Sequence, residues 1–162
     1  MHHYEDLITL FNHCFESTHN TQLICGDDEP IYLPADETHP YNRIVFAHGF
    51  FSSALHECAH WFIAGAARRT QVDYGYWYEP DGRTVEQQAA FQQVEVKPQA
   101  MEWVLSTAAG FPFQYSIDNL DGEETDPESF KQAVQKQVRT YTQQGLPERA
   151  AQFHKALCDF YL

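Results

Sequence analysis

His56-Glu57-Cys58-Ala59-His60 is the stretch of this chain whose residue types and spacing can do chemistry. It is an H-E-x-x-H pattern. On a helix, a spacing of four puts both imidazoles on one face, one turn apart. Two neutral imidazoles so placed can share one transition metal. Glu57 adjoins the first of them and can reach a metal-bound water as an acid–base group. With 9 histidines in 162 residues, a chain of this composition holds such a match by chance only about 0.04 times. The bland alternative is a pair of helix histidines with satisfied hydrogen bonds.

Two histidines rarely hold a metal alone, so a third ligand is expected elsewhere in the chain. Glu95, Glu102 and His48 are the candidates. Glu95 opens Glu95-Val96-Lys97-Pro98-Gln99-Ala100-Met101-Glu102 and is favoured, because a ligand at the start of a second helix is a common partner of this motif. Glu95, Gln99, Glu102 and Ser106 share one polar face of that helix. Gln99 can buttress a ligating imidazole. Glu102 then fits a supporting or substrate-facing acid, and His48, at the end of a buried strand, a structural histidine. His2 and His3 sit at a terminus expected to be mobile and are read as bystanders. His13, His19, His39 and His154 lack partner spacing. Arg68-Arg69 reads as a solvated helix end that complements the dipole. Cys58 takes no role. No nucleophile elbow, Walker loop or dinucleotide fingerprint is present.

Two reactions fit two histidines and a carboxylate. With Zn²⁺ the site is that of a small hydrolase or peptidase with Glu57 as general base. With Fe(II) the open positions take O₂ and a substrate, as in an oxygenase. From the motif alone the hydrolase is the commoner use. A closed structural site would need four protein ligands, which the motif's surroundings do not offer.

The elements that must position these residues follow from periodicity. A helix is expected from Tyr4 to Phe15, its apolar stripe running through Leu7, Ile8, Phe11, Cys14 and Phe15. Gln22–Cys25 and Ile31–Leu33 read as a hairpin around the polar turn Gly26-Asp27-Asp28-Glu29. Arg43–Ala47 reads as a buried strand ended by Gly49. The metal helix is expected from about Ser52 to Ala66, capped by Ser52 or Ser53. Val72–Tyr78 reads as a strand before the turn Pro80-Asp81-Gly82, and Tyr74, Tyr76, Trp77 and Tyr78 as sheet packing. Pro98 is expected to divide the next helical pattern into pieces near 84–92 and from Val94 to Ala109. The acidic run over 118–128 reads as a solvated loop. One helix is expected from Asp126 as cap and Pro127 to just before Gly145, and another from Pro147. Its stripe is Ala150, Phe153, Leu157, Phe160 and Tyr161. The order predicts an α+β fold in one domain, residues 1–162, a small sheet with several helices and a zincin-like metal helix.

Composition narrows the partners. The net charge of −13 argues against nucleic acid and against anionic membrane. No apolar run approaches a membrane span, and no secretory signal opens the chain. Four scattered cysteines suit a reducing, cytoplasmic setting.

Long ungapped runs then carry a resemblance. They are Gly26-Asp27-Asp28-Glu29-Pro30-Ile31-Tyr32-Leu33-Pro34-Ala35, Pro40-Tyr41-Asn42-Arg43-Ile44-Val45-Phe46-Ala47-His48-Gly49-Phe50 and Ser53-Ala54-Leu55-His56-Glu57. They continue with His60-Trp61, Gly75-Tyr76-Trp77-Tyr78, Pro80-Asp81-Gly82-Arg83, Val94-Glu95-Val96-Lys97-Pro98-Gln99-Ala100 and Pro147-Glu148-Arg149. Across nearly the whole chain the sequence resembles the elongation factor P hydroxylase family. The resemblance implies hydroxylation of the β-lysyl-lysine side chain of elongation factor P, the last step of that modification. It implies a metal held by His56, His60 and Glu95. From the residues themselves, Glu57 and Glu102 are the expected catalytic acids, able to bind an amine or relay a proton. Fe(II) with O₂ is the expected pairing, with Zn or Mn able to occupy the same donors. No jelly-roll or H-x-D…H pattern appears, so 2-oxoglutarate is not expected. A monomer is expected. An acidic protein suits a long cationic lysyl-lysine arm.

Overall fold

β3 (Asn42–Phe46) organises the sheet because its inward residues, Ile44 and Phe46, are the most deeply buried of the strand. β1 (Thr21–Cys25) pairs with it in parallel and β2 (Ile31–Leu33) antiparallel, in the order β1-β3-β2. The computed structural model describes residues 2–27, 29–72, 85–115 and 127–162, with backbone alone for 85–94 and 127. The arrangement corrects the expected hairpin, since β1 and β2 flank β3 instead of meeting. Gly26 shows why. Its N–H donates to the Phe46 carbonyl (2.8 Å), and the His48 N–H donates to the Asp27 carbonyl (3.0 Å). The β1–β3 ladder thus runs on through the expected turn. A Cβ at position 26 would collide with the Val45 side chain, so glycine is required for this close approach.

The described residues form five α-helices, α1 (Tyr4–His19), α2 (Phe51–Ile63), α3 (Val85–Ala108), α4 (Pro127–Gln144) and α5 (Glu148–Tyr161), of which α1 and α2 pack on the sheet. The fold is α+β, as the element order predicts. α1 runs a turn beyond the expected end and stops at Asn20, which takes the left-handed conformation (φ 50°) that asparagine tolerates. Leu7, Phe11 and Phe15 of α1 meet Phe62 and Trp61 of α2 and Phe153 of α5 in one core. Phe160 departs from the expected α5 stripe and is 53% exposed.

α3 departs from expectation most. It continues through Pro98 as one helix. Proline there removes one backbone donor and crowds the preceding turn. The cost is local, whereas the burial of Glu95, Gln99, Ala100, Met101, Glu102 and Leu105 depends on one continuous face. α3 packs against both α2 and α4. On the α4 side, Ala100 joins Phe130 and Val134 in a second apolar cluster.

The strand over 72–78, the turn at 80–82 and the acidic loop lie outside the described residues, except for Val72, exposed and in no strand, and Pro127 and Glu128, which are in α4. Asp126, the expected cap, lies outside them too. His2 corrects the expectation of a mobile terminus. Its Nε2 is 2.6 Å from the Ala109 carbonyl, and its ring stacks on Tyr161.

Candidate metal centre

The metal helix is aimed by the turn before it. His48 (φ 54°) and Gly49 (φ 71°) both take left-handed backbone, which swings the chain from β3 into α2. At Gly49 the conformation favours glycine, and a Cβ would also press on the Tyr4 ring at 3.0 Å. Ser53 does not cap α2. Its Oγ accepts the Ala47 N–H (3.0 Å), tying the strand end to the helix, and the cap position is Phe50 with no side-chain cap. The helix ends three residues before the expected Ala66. Arg69 folds back there, and its Nε and Nη2 donate to the Trp61 carbonyl at 3.0 and 2.7 Å. It is half-buried, so the solvated reading of Arg68-Arg69 is corrected for this residue.

With α2 so placed, His56 and His60 face α3. Their Nε2 atoms are 3.1 Å apart. Glu95 lies across from both, with Oε1 3.2 Å from His56 Nε2 and Oε2 3.2 Å from His60 Nε2. Donor atoms around a metal at about 2.1 Å stand about 3.0–3.4 Å apart, so the three fit one shared ion. This is the His/Cys/Asp/Glu group found among the described residues that could hold a metal. The donor chemistry agrees with that fit. Glu95 is 3% exposed, and its Oε2 has no hydrogen-bond partner among the described residues. A buried carboxylate needs paired charge. Burial alone would raise its pKa, but His56 and His60 outweigh that and hold the carboxyl well below the usual range.

Glu102 comes from the same helix face, about two turns beyond Glu95. Its Oε1 is 2.7 Å from His56 Nδ1. With Nε2 given to a metal, Nδ1 carries the proton and donates to Glu102, fixing the tautomer and the ring. Of its two expected positions, Glu102 takes the one behind the imidazole. Burial works against a protonated His56, yet Glu95 and Glu102 together raise its pKa well above the ordinary value. Gln99 and Ser106, on the same stripe, are buried too. The polar face of α3 therefore turns to the site and away from solvent.

Glu57 points elsewhere. With His60, Tyr32, Trp61 and Arg69 it lines a cavity of about 20 Å³, room for about one water. Burial raises its pKa, against the opposing pull of His60 and His56. His48 is exposed in the turn and is not among the converging donors. Cys58 is buried on the apolar side of α2 with its thiol pKa pushed well up by burial, in keeping with no chemical role.

The Arg69 cap escaped the sequence reading, as did Arg149, whose guanidinium lies 4.6 Å from the Trp61 ring centroid. Nothing in local spacing links the two arginines. Pro147-Glu148-Arg149 was legible as a motif but not as a neighbour of Trp61.

Comparison with known proteins gives a family. The family described as elongation factor P hydroxylase matches residues 10–162. A protein of Haemophilus influenzae named elongation factor P lysine hydroxylase is 59% identical over 160 residues, covering 99% of this chain and 90% of that protein.

Proposed function

The chain belongs to the elongation factor P hydroxylase family, and we propose that it hydroxylates elongation factor P on the lysine already carrying a β-lysyl group, completing that modification. The observation that carries this reading is the near end-to-end match with a relative named for lysine hydroxylation of that factor. We further assign His56, His60 and Glu95 as the ligands of a metal ion, Fe(II) in the working enzyme, with Zn or Mn fitting the same donors. The convergence of the three donor groups supports the assignment. When bound, Fe(II) would supply the redox chemistry that lets O₂ oxidise an unactivated C–H bond. No 2-oxoglutarate is invoked.

The remaining roles follow from the chain's own residues. Glu95 brings one negative charge against two imidazoles and keeps their Nε2 atoms turned inward. Glu102 is a positioning residue that holds His56 through Nδ1. Glu57 borders the cavity beside His60, where it can hold a proton or meet the substrate's amine. Its raised pKa eases proton exchange near neutrality relative to a surface glutamate. The acidic chain attracts the cationic arm of the modified lysine. We take residues 1–162 to act as one domain and as a monomer. The cytoplasm is the compartment that suits a translation factor as substrate. Among the described residues no helix is long and apolar enough to cross a membrane.

The test is intact mass of β-lysylated elongation factor P after incubation with the Fe(II)-loaded protein, O₂ and a reductant. The expected product has gained one oxygen atom, and the oxygen-free sample shows no gain. Metal-dependent cleavage that persists without oxygen would mark a zinc hydrolase and overturn the reading.

A further inference from the structure

Two arginines, Arg69 and Arg149, gather at Trp61. A groove of about 460 Å³ opens there, and His19, Tyr32, Asn42, Trp61, Arg69 and Arg149 are among its walls. Arg69 and Arg149 lie 5.2 and 4.6 Å from the Trp61 ring centroid. In a chain with 23 acidic and 10 basic residues, an arginine would ordinarily meet a carboxylate. Among the described residues neither of these two has an ion-pair partner; the described pairs involve Asp36, Glu95, Glu102, Glu128 and Asp159. The groups whose field reaches Arg149 are the Tyr32 hydroxyl in the groove and then Glu148, its exposed chain neighbour. Arg69 spends Nε and Nη2 on backbone carbonyls, leaving Nη1. Arg149 contributes its whole fork.

The crowding has a cost. Burial depresses the pKa of Arg69, and Arg149 depresses it further. His19 is lowered by burial, then by Arg149 and Arg69. An anion in the groove would relieve this repulsion. Guanidinium forks suit a carboxylate.

Position identifies the source of that carboxylate. Tyr32, Trp61 and Arg69 line both this groove and the small cavity that holds Glu57 and His60. A macromolecule whose lysine arm comes to the mouth of this cavity brings its adjoining surface to the groove. Resting on the hydroxylase reading above, we propose that the groove between α2 and α5 is a substrate-recognition subsite, in which Arg149 and Arg69 bind an Asp or Glu side chain of elongation factor P near its modified lysine. The subsite gives an acidic enzyme one face on which an acidic stretch of its substrate is welcome. It thereby sets the orientation in which the lysine arm enters.

The test is equilibrium binding of β-lysylated elongation factor P to the full-length protein, at several salt concentrations. Arg149→Glu is expected to raise Kd about tenfold or more and to flatten its salt dependence. Arg149→Lys, which keeps the charge and guards against a folding defect, is expected to stay within about threefold of the parent. Among single Asp/Glu→Arg variants of the factor around its modified lysine, at least one is expected to restore binding to Arg149→Glu. Equal Kd values for the parent and Arg149→Glu overturn the subsite and leave the hydroxylase reading intact. So does a loss with no rescuing factor variant, or a groove that binds free citrate while factor binding is unchanged. A parent that binds no factor at all overturns the hydroxylase reading, and the subsite with it.

Discussion

One side of α2 sets His56 and His60 against the buried carboxylates of α3, while the other sets Trp61 and Phe62 among the rings of α1 and α5. The two seams are held by opposite means. The aromatic seam stabilises, each fully buried Phe or Leu contributing roughly 1.5–3 kcal/mol. The polar seam draws on that stability. Glu95 and Glu102 are 3% and 6% exposed, and carboxylates so far from water are tolerated only because imidazoles face them. The candidate metal site thus lies where burial of charge is costly, on a helix anchored firmly from behind.

The contrast can be broken from either side. The largest effect is expected on the polar seam. His56→Ala or His60→Ala should abolish metal loading and lower hydroxylation by on the order of a thousandfold, with circular dichroism unchanged. Metal analysis paired with the intact-mass assay checks it, and full metal content in either variant would refute the ligand assignment.

Next comes the aromatic seam. Phe153→Ala should cost about 3–5 kcal/mol in urea unfolding, because Phe153 is fully buried against Phe11 and Phe62. The folded fraction should still bind one metal. Loss of metal together with stability would mean that the seams are not separable.

A smaller effect sharpens the roles of the two carboxylates. Glu102→Ala should weaken metal affinity by about 10- to 100-fold while leaving one metal bound at saturation. Glu95→Ala should bind none. Metal titration followed by competition with a chelator gives both numbers. The reverse pattern would exchange their roles.

The smallest effect lies outside both seams. Asp36 is an exposed loop carboxylate whose pKa is lowered to about 2 by hydrogen bonds from His39 and Thr38. A folded pKa below the unfolded value of 3.8 stabilises the protein above the unfolded value. The contribution is then lost as pH falls through about 2. Asp36→Asn should therefore lower the melting temperature slightly at pH 5, and the difference from the parent should vanish near pH 2. Water screening keeps it small. A constant difference across that range would show that the carboxylate charge is not responsible.

How much of this was legible without coordinates varied with distance along the chain. The metal helix could be read because its ligands are four residues apart, and helical geometry converts that spacing directly into a shared face. The polar stripe Glu95, Gln99, Glu102 and Ser106 was legible for the same reason. The Pro98 break was misread because a local rule was applied where a long buried face outweighed one lost hydrogen bond. The hairpin was misread because two strands with a polar turn between them satisfy the local pattern. Only the competition for β3, and the fit of Gly26 against Val45, decides against it.

The sequence by itself determined an α+β chain, a helix bearing two histidines one turn apart, an acidic composition and a family. Each of these is written in composition or in contacts a few residues apart. The tertiary structure alone decided that Glu95 spans both imidazoles, that Glu102 stands behind His56, and that Arg69 and Arg149 meet at Trp61. These meetings join residues tens of positions apart. Their geometry depends on how helices pack, which no local spacing encodes.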